Sequence, residues 1–199
     1  PENTMEEVQE SKRDIRNRVV TAIQAFSAEE LAAKTSQVEN RLFEFANFME
    51  ANISLLYMPQ EFVVDTKKII QRCFDYRKIV ALPAFNTEKH GMQPYKVDAL
   101  EADMTLGPRN IMEPDPERCK IIPIERIDIA IISGVALDEK GGRIGSGEGY
   151  YDRFIGKLPI TTRKVALSLE CQIVQQVPME SHDRFMDIII TEDRIIYKI

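Results

Sequence analysis

Cysteine and histidine are scarce in this chain, with three cysteines (Cys73, Cys119, Cys171) and two histidines (His90, His182) in 199 residues. The cysteines form no CxxC pair and cannot all pair with one another. A reduced, cytoplasmic compartment is therefore the default, with the cysteines structural or incidental. The histidines lie far apart without HxH or HExxH spacing, which argues against a zinc site. No apolar run reaches the ~20 residues that a membrane helix needs. Net positive charge is missing too, because 26 Lys and Arg against 32 Asp and Glu leave −6. A sequence-independent nucleic-acid binder is normally basic, so neither nucleic acid nor membrane is expected as a partner. An anionic small molecule stays open if its site gathers positive charge locally. Two familiar phosphate motifs are also absent, GxxxxGK[ST] and GxGxxG.

The length suits a single domain over residues 1–199 with a substantial core. The acidic, polar opening PENTMEEVQESKRD does not read as a secretory signal, and residues 1–10 are expected to form a disordered leader. Val8, Ile15, Val19, Ile23 and Phe26 fall at three- and four-residue steps and predict a helix over about Met5 to Phe26. Lys12 and Arg16, one turn apart, share a face of it. On pattern alone the plain reading is a snorkelling lysine beside a solvated arginine. SAEE at Ser27 to Glu30 is a capping box opening a second helix to about Met49. ISLLYM (53–58) predicts a buried strand. A helix from Asp65 or Thr66 to Phe74 and a strand KIVALPAF (78–85) follow. Strand, helix and strand with short links predict a parallel sheet. IDIAIISGVAL (127–137) is continuously apolar and is expected at the sheet centre. KVALSL, DIIIT and RIIYKI complete the set, the last two as a hairpin. Residues 86–123 hold five of the ten prolines and read as short strands and loops around a substrate. The predicted class is α/β, a three-layer sandwich with a mostly parallel, Rossmann-like central sheet and an irregular substrate-binding insertion.

Six of the nine glycines lie between Gly134 and Gly149, just after the expected central strand. In open α/β sheets ligands sit beyond the carboxyl ends of strands. The stretch GGRIGSGEGYYDR (141–153) can aim backbone N–H groups at an anion as it enters a short helix over 150–155. Spacing alone leaves a plain turn equally open. Arg143 offers bidentate contact to phosphate, and Asp152 is a hard oxygen ligand suited to Mg²⁺. If Asp187 faces Asp152, the two make a magnesium site; otherwise they are a helix-start and a strand-edge residue.

These residues fall into an ordered set of motifs. KRDIR (12–16), LLYMP with VVDT, LP (82–83), GPRNIMEP (107–114), SGVALDEKGGRIGSGEGYYDR and VPMESHDRFMDIIITE together resemble the 5-formyltetrahydrofolate cyclo-ligase family over residues 12–192. The resemblance implies an ATP- and Mg²⁺-dependent ring closure of 5-formyltetrahydrofolate, possible also for polyglutamated forms, by a monomer. Phosphorylation turns the poorly leaving formyl oxygen into a good leaving group, so the protein needs alignment and charge neutralisation more than a nucleophile. It implies Lys12, Arg143 and Tyr151 as catalytic groups. Lys12, Arg13, Asp14, Ile15 and Arg16 would contact ATP, as would Arg143, Ile144, Gly145, Ser146, Gly147, Glu148, Gly149, Tyr150 and Tyr151. Folate falls to Arg16, Met58, Glu61, Val63, Tyr150 and Tyr151, and Mg²⁺ to Asp152 and Asp187.

Three positions depart from the family pattern. Val63 stands where relatives carry a pterin-binding Glu, and Glu61 is the nearest substitute. Ser146 and Glu148 replace Arg, Lys or Gly and thin out the positive charge. Leu137 replaces Phe. Two further readings follow from these departures. One is an ATP-dependent relative acting on another small molecule. The other is a folate- or nucleotide-binding protein with little turnover. The Glu148 carboxylate is expected to point to solvent with only its backbone facing phosphate.

Overall fold

The computed structural model describes the backbone of residues 5–198 and the side chains from residue 11 onward. The expected leader therefore lies outside the described residues over 1–4, and so does the side chain of Val8. Helix α1 spans Met5–Gln24. Helix α2 spans Ala28–Glu44, and both halves of the capping box form between Ser27 and Glu30. The long second helix of the sequence reading breaks at Phe45, whose φ of −80° and ψ of 112° are extended, and α3 is the short remainder, Ala46–Glu50. Strand β1 (Ile53–Leu55), helix α4 (Lys67–Asp75) and strand β2 (Ile79–Asn86) make the anticipated strand–helix–strand unit.

The proline-rich middle carries more regular structure than expected. Strand β3 (Gly91–Val97) returns antiparallel along β2, with Pro83 opposite Pro94. On the outer side of β3 residues 120–122 pair briefly, Lys96 N donating to Lys120 O and Ile122 N to Pro94 O, so Pro94 serves there only as an acceptor. Helix α5 (Leu100–Asp103) leads into the small ribbon of β4 (Met104–Leu106) and β5 (Met112–Pro114).

The apolar run 127–137 is not one strand. Strand β6 is Ile129–Ile132, and the chain then breaks at Ser133–Gly134 before β7 (Ala136–Leu137), which pairs antiparallel with β8 (Arg143–Ile144). A Cβ on Gly134 would sit 3.2 Å from Arg143 Cγ, so the break brings the backbone tight against that side chain. Helix α6 (Tyr150–Ile155), β9 (Arg163–Leu167), β10 (Ile188–Ile190) and β11 (Ile195–Tyr197) complete the chain.

The main sheet runs β11-β10-β9-β6-β1-β2-β3. Its five inner strands are parallel and each edge strand is antiparallel, the β10–β11 hairpin included. All four residues of β6 are fully buried although alternate side chains face opposite ways, so both sheet faces are covered and the architecture has three layers. From β1 the chain moves outward to β2, and from β6 it moves the other way to β9 and β10. The order therefore reverses between β1 and β6, and the crevice beyond their carboxyl ends is where ligands bind in such sheets.

Candidate functional site

Two loops leave that crevice, one after β1 and one after β6. The first is fixed by its own hydrogen bonds. The Tyr57 hydroxyl donates to Val64 O at 2.6 Å and Thr66 Oγ donates to Tyr57 O at 2.5 Å. The second becomes the β7–β8 ribbon, whose turn is organised by buried Asp138. Its carboxylate accepts from Lys140 N, Gly142 N and, across the chain, Val177 N. Helix α1 lies on this ribbon. Ile15, Val19 and Ile23 form one apolar cluster with Ala136, Ile144 and Val177. Packing of that stripe turns Lys12 and Arg16 toward the glycine loop.

The resulting cavity is lined by Lys12, Arg16, Arg109 and Arg143, by glycine-loop residues 144–147 and 149–152, and by Gln60, His182 and Asp183. The snorkelling, solvated reading of the α1 pair is corrected here. Lys12 is buried, with Nζ 2.5 Å from Asp183 Oδ2 and 3.2 Å from Glu180 Oε1. Arg16 Nε donates to Gly145 O at 3.0 Å, and burial followed by the nearby Arg13 charge lowers its pKa. Arg143 is locked in place. It donates to Ser133 O at 2.8 Å, lies 3.3 Å from Asp152 Oδ1 and faces the Tyr151 ring at 5.8 Å. Burial pushes the Tyr151 phenol up to about 12, so it is neutral and can serve as a donor. Among the described residues its hydroxyl makes no well-formed hydrogen bond, although the Ser133 side chain lies near enough to oppose the rise, and Arg143 Nε makes none either. Two orphan polar groups on one wall are consistent with a polar ligand there.

Several residues anticipated for the ligand lie elsewhere. Arg13 and Asp14 are exposed on α1, and Ile15 is spent on the apolar cluster. Met58 lines a separate groove with Pro59, Ile70, Phe74 and Met112. Val63 borders a third space beside α2, and Glu61 is exposed and lines none of the three. Gln60 is the member of that loop which reaches the cavity. Asp152 lines the cavity, and its Oδ1 also accepts from Arg184 N. A carboxylate on this wall fits an oxygen ligand for Mg²⁺. Asp187 does not line this cavity. Its Oδ2 accepts from Lys164 N at 2.9 Å and lies 3.2 Å from Lys164 Nζ. The carboxylate that shares the cavity with Asp152 is Asp183, four residues earlier.

Arg109, Gln60, His182 and Asp183 are the lining residues that the pattern of the sequence missed as ligand contacts. Arg109 sits in GPRNIMEP, with its guanidinium 4.5 Å from the Phe85 ring centre and 4.9 Å from that of Tyr150. The same loop is pinned by Glu113, whose Oε1 accepts from Phe85 N at 3.0 Å and whose pKa is raised by burial. A Cβ on Gly107 would fall 2.2 Å from the Glu113 carboxylate, so any larger residue would push that side chain aside. Glu148 departs from its expected role. It is half exposed, yet its Oε2 lies 2.9 Å from Arg109 Nε. A cation resting on two rings attracts this charge out of solvent.

Comparison with known proteins bears on this arrangement. A model of the 5-formyltetrahydrofolate cyclo-ligase family matches residues 8–192. The probable 5-formyltetrahydrofolate cyclo-ligase of Schizosaccharomyces pombe is 33% identical over 154 residues, 71% of this chain and 74% of that one. The mouse 5-formyltetrahydrofolate cyclo-ligase is 24% identical over 94% of this chain and 96% of its own. The solution structure of Aquifex aeolicus 5,10-methenyltetrahydrofolate synthetase superimposes with a TM-score of 0.81 at 26% identity, covering 94% of this chain and 92% of that one.

Proposed function

Because the chain belongs to the 5-formyltetrahydrofolate cyclo-ligase family, we propose that it closes 5-formyltetrahydrofolate to 5,10-methenyltetrahydrofolate at the expense of ATP, as one catalytic domain acting as a cytoplasmic monomer. The observation that carries this reading is the cavity at the β1/β6 switch, where Lys12, Arg16, Arg109 and Arg143 converge on the glycine loop. A chain of net charge −6 that places four cations against two carboxylates, Asp152 and Asp183, around one cavity keeps a local excess of positive charge there, which supports an anionic ligand.

In this reading Arg16, the amides of the glycine loop and Arg143 hold the polyphosphate. The formyl oxygen attacks the γ-phosphorus, and ADP leaves with its bonding electron pair. The substrate's anilino nitrogen then adds to the activated formyl carbon and gives up its proton to the phosphate, which departs with the electron pair of the C–O bond. Lys12 and Arg143 neutralise the phosphoryl charge that develops, and Tyr151 borders the reacting carbon as a neutral hydrogen-bond donor. The rings of Tyr150 and Tyr151 exclude water from the activated formyl group, whose hydrolysis would waste ATP. Mg²⁺, held by Asp152 on the cavity wall and not by Asp187, would supply further charge neutralisation to the phosphates. Gln60 replaces the acid missing at Val63 as the β1-loop group offered to the folate.

The test is direct. The purified protein with Mg-ATP and 5-formyltetrahydrofolate is expected to develop methenyl-folate absorbance with one ADP released per product. ATP binding without product would overturn the cyclo-ligase reading.

A further inference from the structure

The cations of the cavity already have counter-charges built into the protein. Lys12 is paired with Asp183 and Glu180, and Arg143 with Asp152. Arg109 is paired with Glu148. An incoming polyphosphate must displace one of these internal anions or bind against them. The three pairs differ in what separation costs. Lys12, Asp183 and Glu180 are all deeply buried, and Arg143 is further fixed by Ser133 O, so separating either pair strands a charge away from water. The third pair differs, because the Glu148 side chain is 51% exposed and can return to solvent, whereas that of Arg109 is 11% exposed and cannot.

The contact itself is also poorly made. Arg109 Nε lies 2.9 Å from Glu148 Oε2, yet among the described residues it makes no well-formed hydrogen bond, because the distance is that of an ion pair while the N–H is aimed elsewhere. A buried donor left in this state favours any acceptor that meets it in line. Glu148 is flanked by two residues of positive φ, Gly147 at 100° and Gly149 at 77°. A Cβ on Gly149 would meet nothing within 4 Å, so the backbone there has room to turn. Arg109 stays anchored when Glu148 leaves, because its guanidinium rests on Phe85 and Tyr150.

We propose that Glu148 is an internal stand-in for a phosphate group: it occupies Arg109 in the free protein, a bound polyphosphate displaces it, and Arg109 is thereby a phosphate-binding residue of this chain. The proposal rests on the polyphosphate part of the functional reading and not on the folate part. It also gives a use to a carboxylate in a phosphate loop, which otherwise only weakens binding. Glu148 keeps the Arg109 guanidinium from collapsing onto other acids, and it makes occupation of the cavity a condition for releasing the loop.

A double-mutant cycle tests it, with tripolyphosphate and Mg-ATP titrated separately by calorimetry into four proteins: wild type, Glu148→Gln, Arg109→Gln and the double variant. Thermal melts check that each is folded, and Arg109→Lys serves as a charge-preserving control. Glu148→Gln is expected to bind tripolyphosphate about threefold more tightly, the scale of one partly exposed ion pair. Arg109→Gln is expected to bind about tenfold more weakly, as for loss of one charge-assisted contact. Within the Arg109→Gln background the Glu148→Gln gain should vanish. An equal gain in both backgrounds would mean that Glu148 acts only through its long-range field and would overturn the proposal. So would failure of tripolyphosphate to bind any of the four. Binding of tripolyphosphate but not ATP, with the cycle as expected, keeps the stand-in and rejects only the nucleotide.

Discussion

Lys12 shows how a single side chain carries both fold and chemistry. Its ammonium is enclosed with Asp183 and Glu180, so its removal takes the cation from the buried Asp183 carboxylate. Lys12→Met is therefore expected to lower the unfolding free energy by about 3 kcal/mol, the scale for breaking a buried pair. Lys12→Met with Asp183→Asn should recover part of that loss without recovering turnover. Urea unfolding of both variants checks this, and a single variant as stable as the wild type would show that the carboxylates find water or other partners. The place of Lys12 on a helix was legible, because Ile15, Val19 and Ile23 mark the buried stripe of α1. Its partner was not, since Asp183 lies 171 residues away and nothing local to either residue records the meeting. Arg109 was hidden for a related reason. An arginine in a loop reads as solvated, and only the fold brings Phe85 and Tyr150 beneath it.

At the scale of elements, the β7–β8 ribbon determines where the glycine loop begins, and its two kinds of glycine should respond differently to substitution. Gly141 has a φ of 90°, and a Cβ there would fall 2.3 Å from the carbonyl oxygen of Met186. The backbones of Gly141 and Met186 are also joined, Met186 N donating to Gly141 O at 2.7 Å. Gly149 has a φ of 77° but open space around it. Gly149→Ala should cost about 1 kcal/mol, the backbone penalty alone. Gly141→Ala adds a backbone clash that no rotamer relieves and should exceed about 2 kcal/mol. Chemical denaturation of the two variants decides it, and equal losses would show that the Met186 segment moves aside freely. The glycines were visible in the sequence as a cluster, but the sequence does not distinguish a conformational need from a contact need. The same blindness joined β6 to β7 in one apolar run. Ile129 to Leu137 is buried throughout except at half-buried Val135, so hydrophobicity does not register the turn of direction at Gly134. The β10–β11 hairpin and the capping box at Ser27 were read correctly because their signals are local, a short link in one case and a four-residue pattern in the other.

At the scale of the molecule, the topology explains why the cavity has walls so distant in sequence. The reversal of strand order between β1 and β6 opens one crevice, and the loop after each strand must flank it. Helix α1 then closes one side through Arg16 and the segment around Asp183 another, while Arg109 reaches over from the β4–β5 connection. Apolar packing joins α1 to the ribbon, while a ligand charge in the cavity would bear on all of these parts at once. Saturating Mg-ATP should therefore slow amide exchange in the cavity-lining parts of α1, in residues 143–152 and in residues 180–184 together. It should leave the β10–β11 hairpin, which lies at the far edge of the sheet, unchanged. Hydrogen exchange with and without nucleotide measures this. Protection confined to residues 143–152 would mean that the phosphates meet the glycine loop alone, and that Lys12 and Arg16 serve only to dock α1 on the ribbon.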